Sequence, residues 1–138
     1  MNKQYLYGEV NYTSLVKARN FLAEILQNAR SDYERTGAVQ AFEFCYELSW
    51  RILRKVLRFH GLEVETVRDA FREGAKIKLL RDAEKWFEYL KKRNITVHTY
   101  HKEILDDLFS NTAQEFLKDL DYFLTQLDKE SFKYANKK

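Results

Sequence analysis

Apolar residues recur at intervals of three and four positions through most of this chain, and none of its 138 residues is a proline. Proline is the residue that most firmly ends a helix, so its absence allows helices to run long and uninterrupted. The four glycines leave few flexible breaks. No segment alternates between apolar and polar residues with a period of two, so we assign no β-sheet. The pattern therefore predicts an all-α protein.

The apolar stripes and their flanking residues place five helices along the chain. We predict helices over about Thr13–Arg30, Glu34–His60, Thr66–Gly74, Asp82–Lys92 and Lys102–Lys129. Asp32 is the expected N-cap of the second helix, and Gly61 follows its end, where a left-handed residue belongs. These helices predict an up-and-down bundle of four to five helices in a single domain, residues 1–138. Its core spans about residues 12–128, and the final segment, FKYANKK, is expected to be a frayed tail.

Composition excludes several classes of protein. Hydrophobic residues make up 45% of the chain and aromatic residues 15%, which is too apolar for a disordered protein. The net charge of +3 is too small to indicate nucleic-acid binding by itself. The single cysteine, Cys45, forms no internal disulfide, and no cluster of metal ligands surrounds it in the sequence. The N-terminus has no signal-peptide core and no apolar run could span a bilayer, so we expect a cytoplasmic protein without membrane contact, metal or cofactor.

The second helix is apolar around most of its circumference. From Ala38 to Trp50, the polar residues are only Gln40, Glu43, Glu47 and Ser49. Such a helix needs cover on more than one side. We favour cover by a second copy of the protein in a symmetric homodimer, and the alternative is cover by the rest of the same chain.

A polar stripe on the same helix changes sign along its length. Glu47 and Arg51 are four residues apart with the acid first, the order that favours an ion pair. Four cations then follow without an intervening acid, and we call them the basic ridge: Arg51, Arg54, Lys55 and Arg58. The simpler interpretation is a solvated face whose cations complement the C-terminus of the helix. The functional alternative is a surface that contacts phosphates.

Residues 93–100, RNITVHTY, bring an arginine and a histidine together. The imidazole of His98 can take and give a proton near neutral pH, and the planar guanidinium of Arg93 matches phosphate oxygens. The pair therefore suits phosphodiester chemistry without a metal, although a structural role for both residues is the simpler interpretation of composition alone. In an ideal helix Arg93 points about 140° away from His98. The β-branched run Ile95–Val97 predicts a helix end or a distortion that could bring them together.

The other reactive side chains have simpler structural interpretations. We expect Cys45, Trp50 and Trp86 to be core or interface residues. His60 precedes Gly61 and belongs to a helix C-terminus, a favourable place for an imidazolium. His101 is expected to be a bystander, and Asp106 and Asp107 are expected to form a solvated face.

RNITVHTY resembles the R-x4-6-H motif of the HEPN superfamily, in the R-x4-H-x-Y form of HepT-type toxins. Two further segments resemble the nucleotidyltransferase substrate-binding proteins, a HEPN branch encoded beside a small nucleotidyltransferase. They are FEFCYELSWRILRKVL and RDAFREGAKI, the second followed by WFEYLKKRNITVHTY. The resemblance covers roughly residues 12–125.

This resemblance implies a dimeric helical bundle with its two R-x4-H motifs near each other at the interface. It assigns Arg93 and His98 as the catalytic pair of a metal-independent endoribonuclease, with Asn94 as the supporting polar residue. It also assigns Tyr100 as the tyrosine to which a partner nucleotidyltransferase attaches AMP. The chain would then be the ribonuclease toxin of a two-gene toxin–antitoxin pair. The alternatives are a non-catalytic subunit that binds a nucleotide or other substrate for the transferase, and a helical interaction module.

Overall fold

Most of the chain that the structure describes is helical. The computed structural model describes residues 5–6, 10–98 and 101–135, with side chains for residues 10–98 and 101–131. Its helices are α1 (Thr13–Asn28), α2 (Asp32–Phe59), α3 (Val67–Lys76), α4 (Ala83–Thr96), α5 (Lys102–Asp107) and α6 (Ala113–Ala135). A π-helical turn, Leu108–Thr112, joins α5 to α6. The predicted all-α class is confirmed.

Local capping chemistry sets both ends of α2. This helix begins two residues earlier than predicted, because Ser31 rather than Asp32 is its N-cap. The Ser31 hydroxyl accepts the backbone N–H of Glu34 at 3.2 Å, and the Glu34 carboxylate accepts that of Ser31 at 3.1 Å, which forms a capping box. Asp32 is instead the first helical residue. Gly61, with φ of 82°, has the predicted left-handed conformation just past the end of the helix.

Helix α4 extends beyond its predicted end at Lys92. The β-branched residues Ile95 and Thr96 remain helical, and the chain leaves the helix at Val97. The helix end therefore falls within the β-branched run, as expected, but after Arg93 rather than beside it. Arg93 consequently keeps regular helical geometry.

The predicted fifth helix, Lys102–Lys129, is a longer helical stretch with a π-helical turn inside it. A π turn inserts one extra residue into the helical repeat. Leu108 and Ala113 are five residues apart, yet both are buried in the core for this reason. The backbone is helical through Ala135, past the predicted end of this helix at Lys129. Residues 136–138 lie outside the described part of the chain.

A short ribbon precedes α1, although no sheet was expected. Strands β1 (Tyr5–Leu6) and β2 (Val10–Asn11) pair antiparallel, with Leu6 opposite Val10. Each strand has two residues, too few to give the apolar alternation that predicts a strand. The ribbon does not change the all-α class.

Helix α2 lies at the centre of the bundle and contacts α1, α3, α4, α5 and α6. The apolar residues of its first half are mostly buried within this single chain, where Phe42 packs edge-on against Phe116 with ring centres 4.9 Å apart. The cover expected from a second copy is thus largely supplied by the chain itself. Phe44 is the large exception on this stretch and stays 58% exposed.

A buried carboxylate fastens α4 to α6. Asp119 of α6 is 1% exposed and accepts a hydrogen bond from the Tyr89 hydroxyl of α4. It also accepts one from Arg81 Nη2 at 2.7 Å, just before α4 begins. Burial and the Asp119 carboxylate raise the pKa of Tyr89 above its ordinary value, so the phenol stays protonated as the donor. This contact fixes α4 one turn before Arg93.

Candidate functional site

The side chain of Arg93 extends from the last turn of α4 onto the polar stripe of α2. Its Nη2 donates to Glu47 Oε2 at 3.4 Å, and its Nη1 donates to Asn94 Oδ1 at 3.3 Å. Its guanidinium carbon lies 5.9 Å from the centre of the Tyr46 ring, within cation–π range. The side chain remains 34% exposed. The guanidinium is therefore oriented from three sides and still open to solvent.

Thr96 and Glu43 make a second contact between the same two helices, one turn after Arg93 on α4 and one turn before Glu47 on α2. Thr96 is buried, and its hydroxyl lies 3.2 Å from Glu43 Oε2 and 3.1 Å from the Arg93 carbonyl oxygen. Burial raises the pKa of Glu43 above its ordinary value, while the Thr96 hydroxyl and the Arg93 charge act in the opposite direction. This contact holds the end of α4 against α2.

The ring of Tyr46 packs against the guanidinium of Arg93. Its side chain is buried, and its hydroxyl has no hydrogen-bond partner among the side chains and backbone of the described residues. Burial raises the pKa of Tyr46 above its ordinary value, so the ring stays neutral. A neutral aromatic face supports the guanidinium without neutralising its charge.

His98 lies in the turn that follows α4. Its backbone N–H donates to the Ile95 carbonyl at 3.2 Å, and its side chain is exposed. The imidazole makes no hydrogen bond or ion pair with residues 10–98 or 101–131, so it is accessible to a ligand. The structure places Arg93 and His98 on either side of the helix end without a direct bond between them. Tyr100, the proposed AMP acceptor, lies outside the described residues.

The basic ridge on α2 is exposed along its whole length, as the solvated-face interpretation predicts. Arg51 pairs with Glu47 at 3.2 Å, which confirms the predicted four-residue ion pair, and Arg58 pairs with Glu63 at 3.6 Å. Arg54 and Lys55 have no charged partner among the described residues. Glu47 contacts both Arg51 and Arg93, so one carboxylate connects the ridge to the end of α4.

The cysteine, the two tryptophans and His60 are structural, as predicted. Cys45 is buried, and burial raises the pKa of its thiol to about 12, which leaves it a poor nucleophile. Trp86 is buried in the core, and Trp50 is partly buried and packs against the same core. His60 is the C-cap of α2. The described residues contain no group of His, Cys, Asp or Glu side chains arranged to hold a metal ion. Within the same residues, no helix is both long and apolar enough to cross a membrane.

Nearly the whole helical bundle matches a known family of proteins. The model of the family described as "Nucleotidyltransferase substrate binding protein like" matches residues 10–129. The chain belongs to this family. The match includes α2, α4 and the Arg93–His98 segment, and it confirms the resemblance noted in the sequence.

Three relatives of this substrate-binding-like protein agree with that assignment. A Haemophilus influenzae protein named "Probable ribonuclease HepT" is 33% identical over 96 residues, which span 66% of this chain and 65% of that protein. The crystal structure of a Thermus thermophilus protein matches 82% of this chain and 98% of its own, with a TM-score of 0.75 and 29% identity. H. influenzae HI0074, whose structure is described as the fold of a substrate-binding domain of a nucleotidyltransferase, matches 86% of this chain and 99% of its own. Its TM-score is 0.72 and its identity 29%.

Sequence reasoning missed the partners of Arg93 on α2. Glu43 and Glu47 were recognised as a polar stripe, but their contacts with Thr96 and Arg93 cross about fifty residues of chain. One signal was available in this family member: two acids four residues apart interrupt an otherwise apolar helical face. Acids at such a position need a partner from another element, since burial of an unpaired charge is costly.

Proposed function

We propose that this nucleotidyltransferase substrate-binding-like protein is a metal-independent endoribonuclease. In this proposal it is the toxin of a two-gene pair whose other member is a small nucleotidyltransferase. The observation that carries the proposal is the geometry at the end of α4. Arg93 is oriented but open to solvent, and the accessible imidazole of His98 follows on the next turn. The similarity to a protein named as a probable ribonuclease supports it, and the family description supports the transferase partner.

The two residues have separate roles in the proposed cleavage. A neutral His98 imidazole removes the proton from a ribose 2′-hydroxyl, and the 2′-oxygen attacks the neighbouring phosphorus. The bond from phosphorus to the 5′-oxygen breaks, and that oxygen takes a proton from solvent. The products are a 2′,3′-cyclic phosphate and a 5′-hydroxyl. Arg93 stabilises the negative charge on the non-bridging oxygens in the transition state, and Asn94 helps to orient it.

The basic ridge extends the proposed site along α2. Arg54 and Lys55 carry charges without a partner in the described chain, so they are suited to bind RNA phosphates beyond the scissile one. Arg51 and Arg58 would join them once their exposed ion pairs exchange.

We also propose a homodimer that forms through the exposed face of α2. Phe44 of α2 and Phe21 of α1 are 58% and 56% exposed, and they lie on either side of one apolar groove.

RNA cleavage by purified variants tests the catalytic proposal. We expect Arg93→Ala and His98→Ala each to lower the cleavage rate at least about 100-fold, as for loss of a charge-stabilising donor or a proton-transfer group. Arg72→Ala and His101→Ala are matched controls, since both residues are exposed and lie outside the proposed site. Full activity of His98→Ala, or loss of wild-type activity in EDTA, would contradict the mechanism.

A non-catalytic substrate-binding subunit is the second candidate function. It is favoured by the family description and by the description of HI0074 as a substrate-binding domain. The same Arg93 guanidinium would then hold the phosphate of a nucleotide. Binding of a nucleotide by the purified wild type, without cleavage of any RNA in a total cellular RNA pool, would favour this function over the first.

A further inference from the structure

One carboxylate on α2 is shared between arginines from two helices. Glu47 Oε1 accepts a hydrogen bond from Arg51 Nε at 3.2 Å, and Glu47 Oε2 lies 3.4 Å from Arg93 Nη2. Arg51 belongs to the same helix, four residues along, whereas Arg93 reaches across from α4. Glu47 is therefore the anionic contact that sets the direction of the Arg93 guanidinium.

The contacts of Arg93 are longer than those of the arginines that hold this bundle together. Arg19 donates two hydrogen bonds, of 2.6 and 3.0 Å, to Asp121. Arg81 donates one of 2.7 Å to Asp119. Arg93 instead has contacts of 3.4 Å to Glu47 and 3.3 Å to Asn94. Contacts of this length orient a guanidinium but bind it weakly, because hydrogen bonds lose strength beyond about 3.2 Å.

A phosphate and a carboxylate offer an arginine the same kind of contact. Both present anionic oxygens to the planar fork of N–H donors. A phosphate that reaches Arg93 must therefore compete with Glu47 for the same donors. Arg93 has donors besides Nη2 that a phosphate can use, whereas Arg51, the second partner of Glu47, can leave the carboxylate to meet the next phosphate of the strand.

We propose that Glu47 is the positioning residue for Arg93, which it shares with the scissile phosphate, and that it yields Arg51 to the next phosphate of the RNA strand. The inference rests on the proposed nuclease function for its substrate. It assigns Glu47 two opposing effects. The carboxylate keeps its contact with Arg93 Nη2 and orders Arg93 for reaction, and it weakens binding because the phosphates must compete with its charge for both arginines.

Two variants separate these effects. In Glu47→Gln the amide oxygen keeps a hydrogen bond to Arg93 but the competing charge is gone, whereas Glu47→Ala removes both. For both variants we expect about two- to fivefold tighter binding of RNA, the size of effect that a partly exposed ion pair supports. The plot of log affinity against log salt should steepen by about 0.7 for each arginine released. At saturating RNA we expect kcat to stay near the wild-type value in Glu47→Gln and to fall about tenfold in Glu47→Ala.

Binding and cleavage are measured on separate probes. Affinity is measured by fluorescence anisotropy with a single-stranded RNA whose 2′-hydroxyls are all methylated, which cannot be cleaved by 2′-oxygen attack. Cleavage is measured with the unmodified RNA of the same sequence. Glu73→Gln is the matched control, since it removes one negative charge from an ion pair with Lys76 on another helix. This control should change neither kcat nor affinity, and thermal melting checks that every variant is folded.

The outcomes distinguish this inference from the proposed function. Weaker or unchanged affinity in both Glu47 variants overturns the inference, as does unchanged kcat in Glu47→Ala. A wild type that binds the methylated RNA but cleaves no RNA refutes the nuclease. In that case tighter binding by Glu47→Gln still supports the exchange of Glu47 for phosphate, and its absence still overturns it.

Discussion

The buried carboxylate of Asp119 should contribute far more to stability than its neighbour Asp121 on the same helix. Both accept hydrogen bonds from an arginine. The Asp119 side chain is fully buried and also accepts the Tyr89 hydroxyl, whereas the Asp121 side chain is 45% exposed. The two positions form a matched pair, with the same residue type, helix and kind of partner, and they differ mainly in burial.

The expected losses follow from that difference. Asp119→Ala leaves the Tyr89 hydroxyl buried without its acceptor and removes the anionic partner of Arg81. Breaking a buried pair from one side costs about 3–5 kcal/mol. Because Arg81 is half-exposed and regains water, we expect a loss of about 2–4 kcal/mol in the free energy of unfolding. Asp121→Ala should cost at most about 1 kcal/mol, as for other exposed pairs.

Urea denaturation followed by circular dichroism measures both losses. In both variants the free energy of unfolding should fall with urea concentration at the wild-type slope, and only the midpoint concentration should differ. A double-mutant cycle of Asp119→Ala with Tyr89→Phe should give a coupling energy of about 0.5–3 kcal/mol, since the two side chains are in direct contact. Equal losses from Asp119→Ala and Asp121→Ala would refute the reasoning that burial decides the contribution.

Two further predictions concern assembly and modification. Phe44→Asp should convert the proposed homodimer to a monomer in analytical ultracentrifugation, because it places a charge in the apolar groove between α1 and α2. Tyr33→Asp is the control: it changes another exposed aromatic residue and should leave the dimer intact. A wild type that sediments as a monomer at micromolar concentration would contradict the dimer. Tyr100 should carry AMP after co-expression with the partner nucleotidyltransferase, and peptide mass spectrometry should find no such mass in Tyr100→Phe. An unmodified Tyr100 beside an active transferase that still suppresses toxicity would mean that inhibition works by binding alone.

The fold was predictable because local chemistry decides most of it. Apolar spacing and the glycine at position 61 were sufficient to place most helix ends within about four residues, although the last helix ends later than predicted. The N-terminus of α2 was misplaced because Ser31 and Asp32 are both good caps, and the reciprocal bond with Glu34 favours Ser31. The π-helical turn was not predictable, since it arises from the fit of Leu108 and Ala113 to the assembled core rather than from local preference.

The site was only half predictable, because its residues come from two helices. Arg93 and His98 lie in one short segment, and a motif resemblance finds them. The supports of Arg93 on α2 are Tyr46 and Glu47, about fifty residues earlier in the chain. Their identity as supports depends on how α4 crosses α2, which the periodicity of either helix leaves open.

The proposed homodimer is an example of a sequence pattern that is compatible with more than one structure. The broad apolar surface of α2 is real, but it is largely covered by the other helices of the same chain. Of the apolar surface from Ala38 to Trp50, only Phe44 remains largely exposed. The proposed dimer therefore depends on two exposed rings, Phe44 and Phe21 of α1. Ultracentrifugation of the Phe44 variant therefore tests these two rings rather than the whole apolar stretch.

Stability and function meet on α4, which carries both the buried anchor and the proposed catalytic arginine. Tyr89 and Arg93 are four residues apart, so they lie on neighbouring parts of one helical face. Asp119 fixes Tyr89 from α6, and Glu47 orients Arg93 from α2. The Tyr89–Asp119 hydrogen bond is buried, whereas the Arg93–Glu47 contact is 3.4 Å long and partly exposed to solvent. This gradient along a single helix gives Arg93 a fixed backbone and an exchangeable side chain, which is what binding and release of a phosphate require.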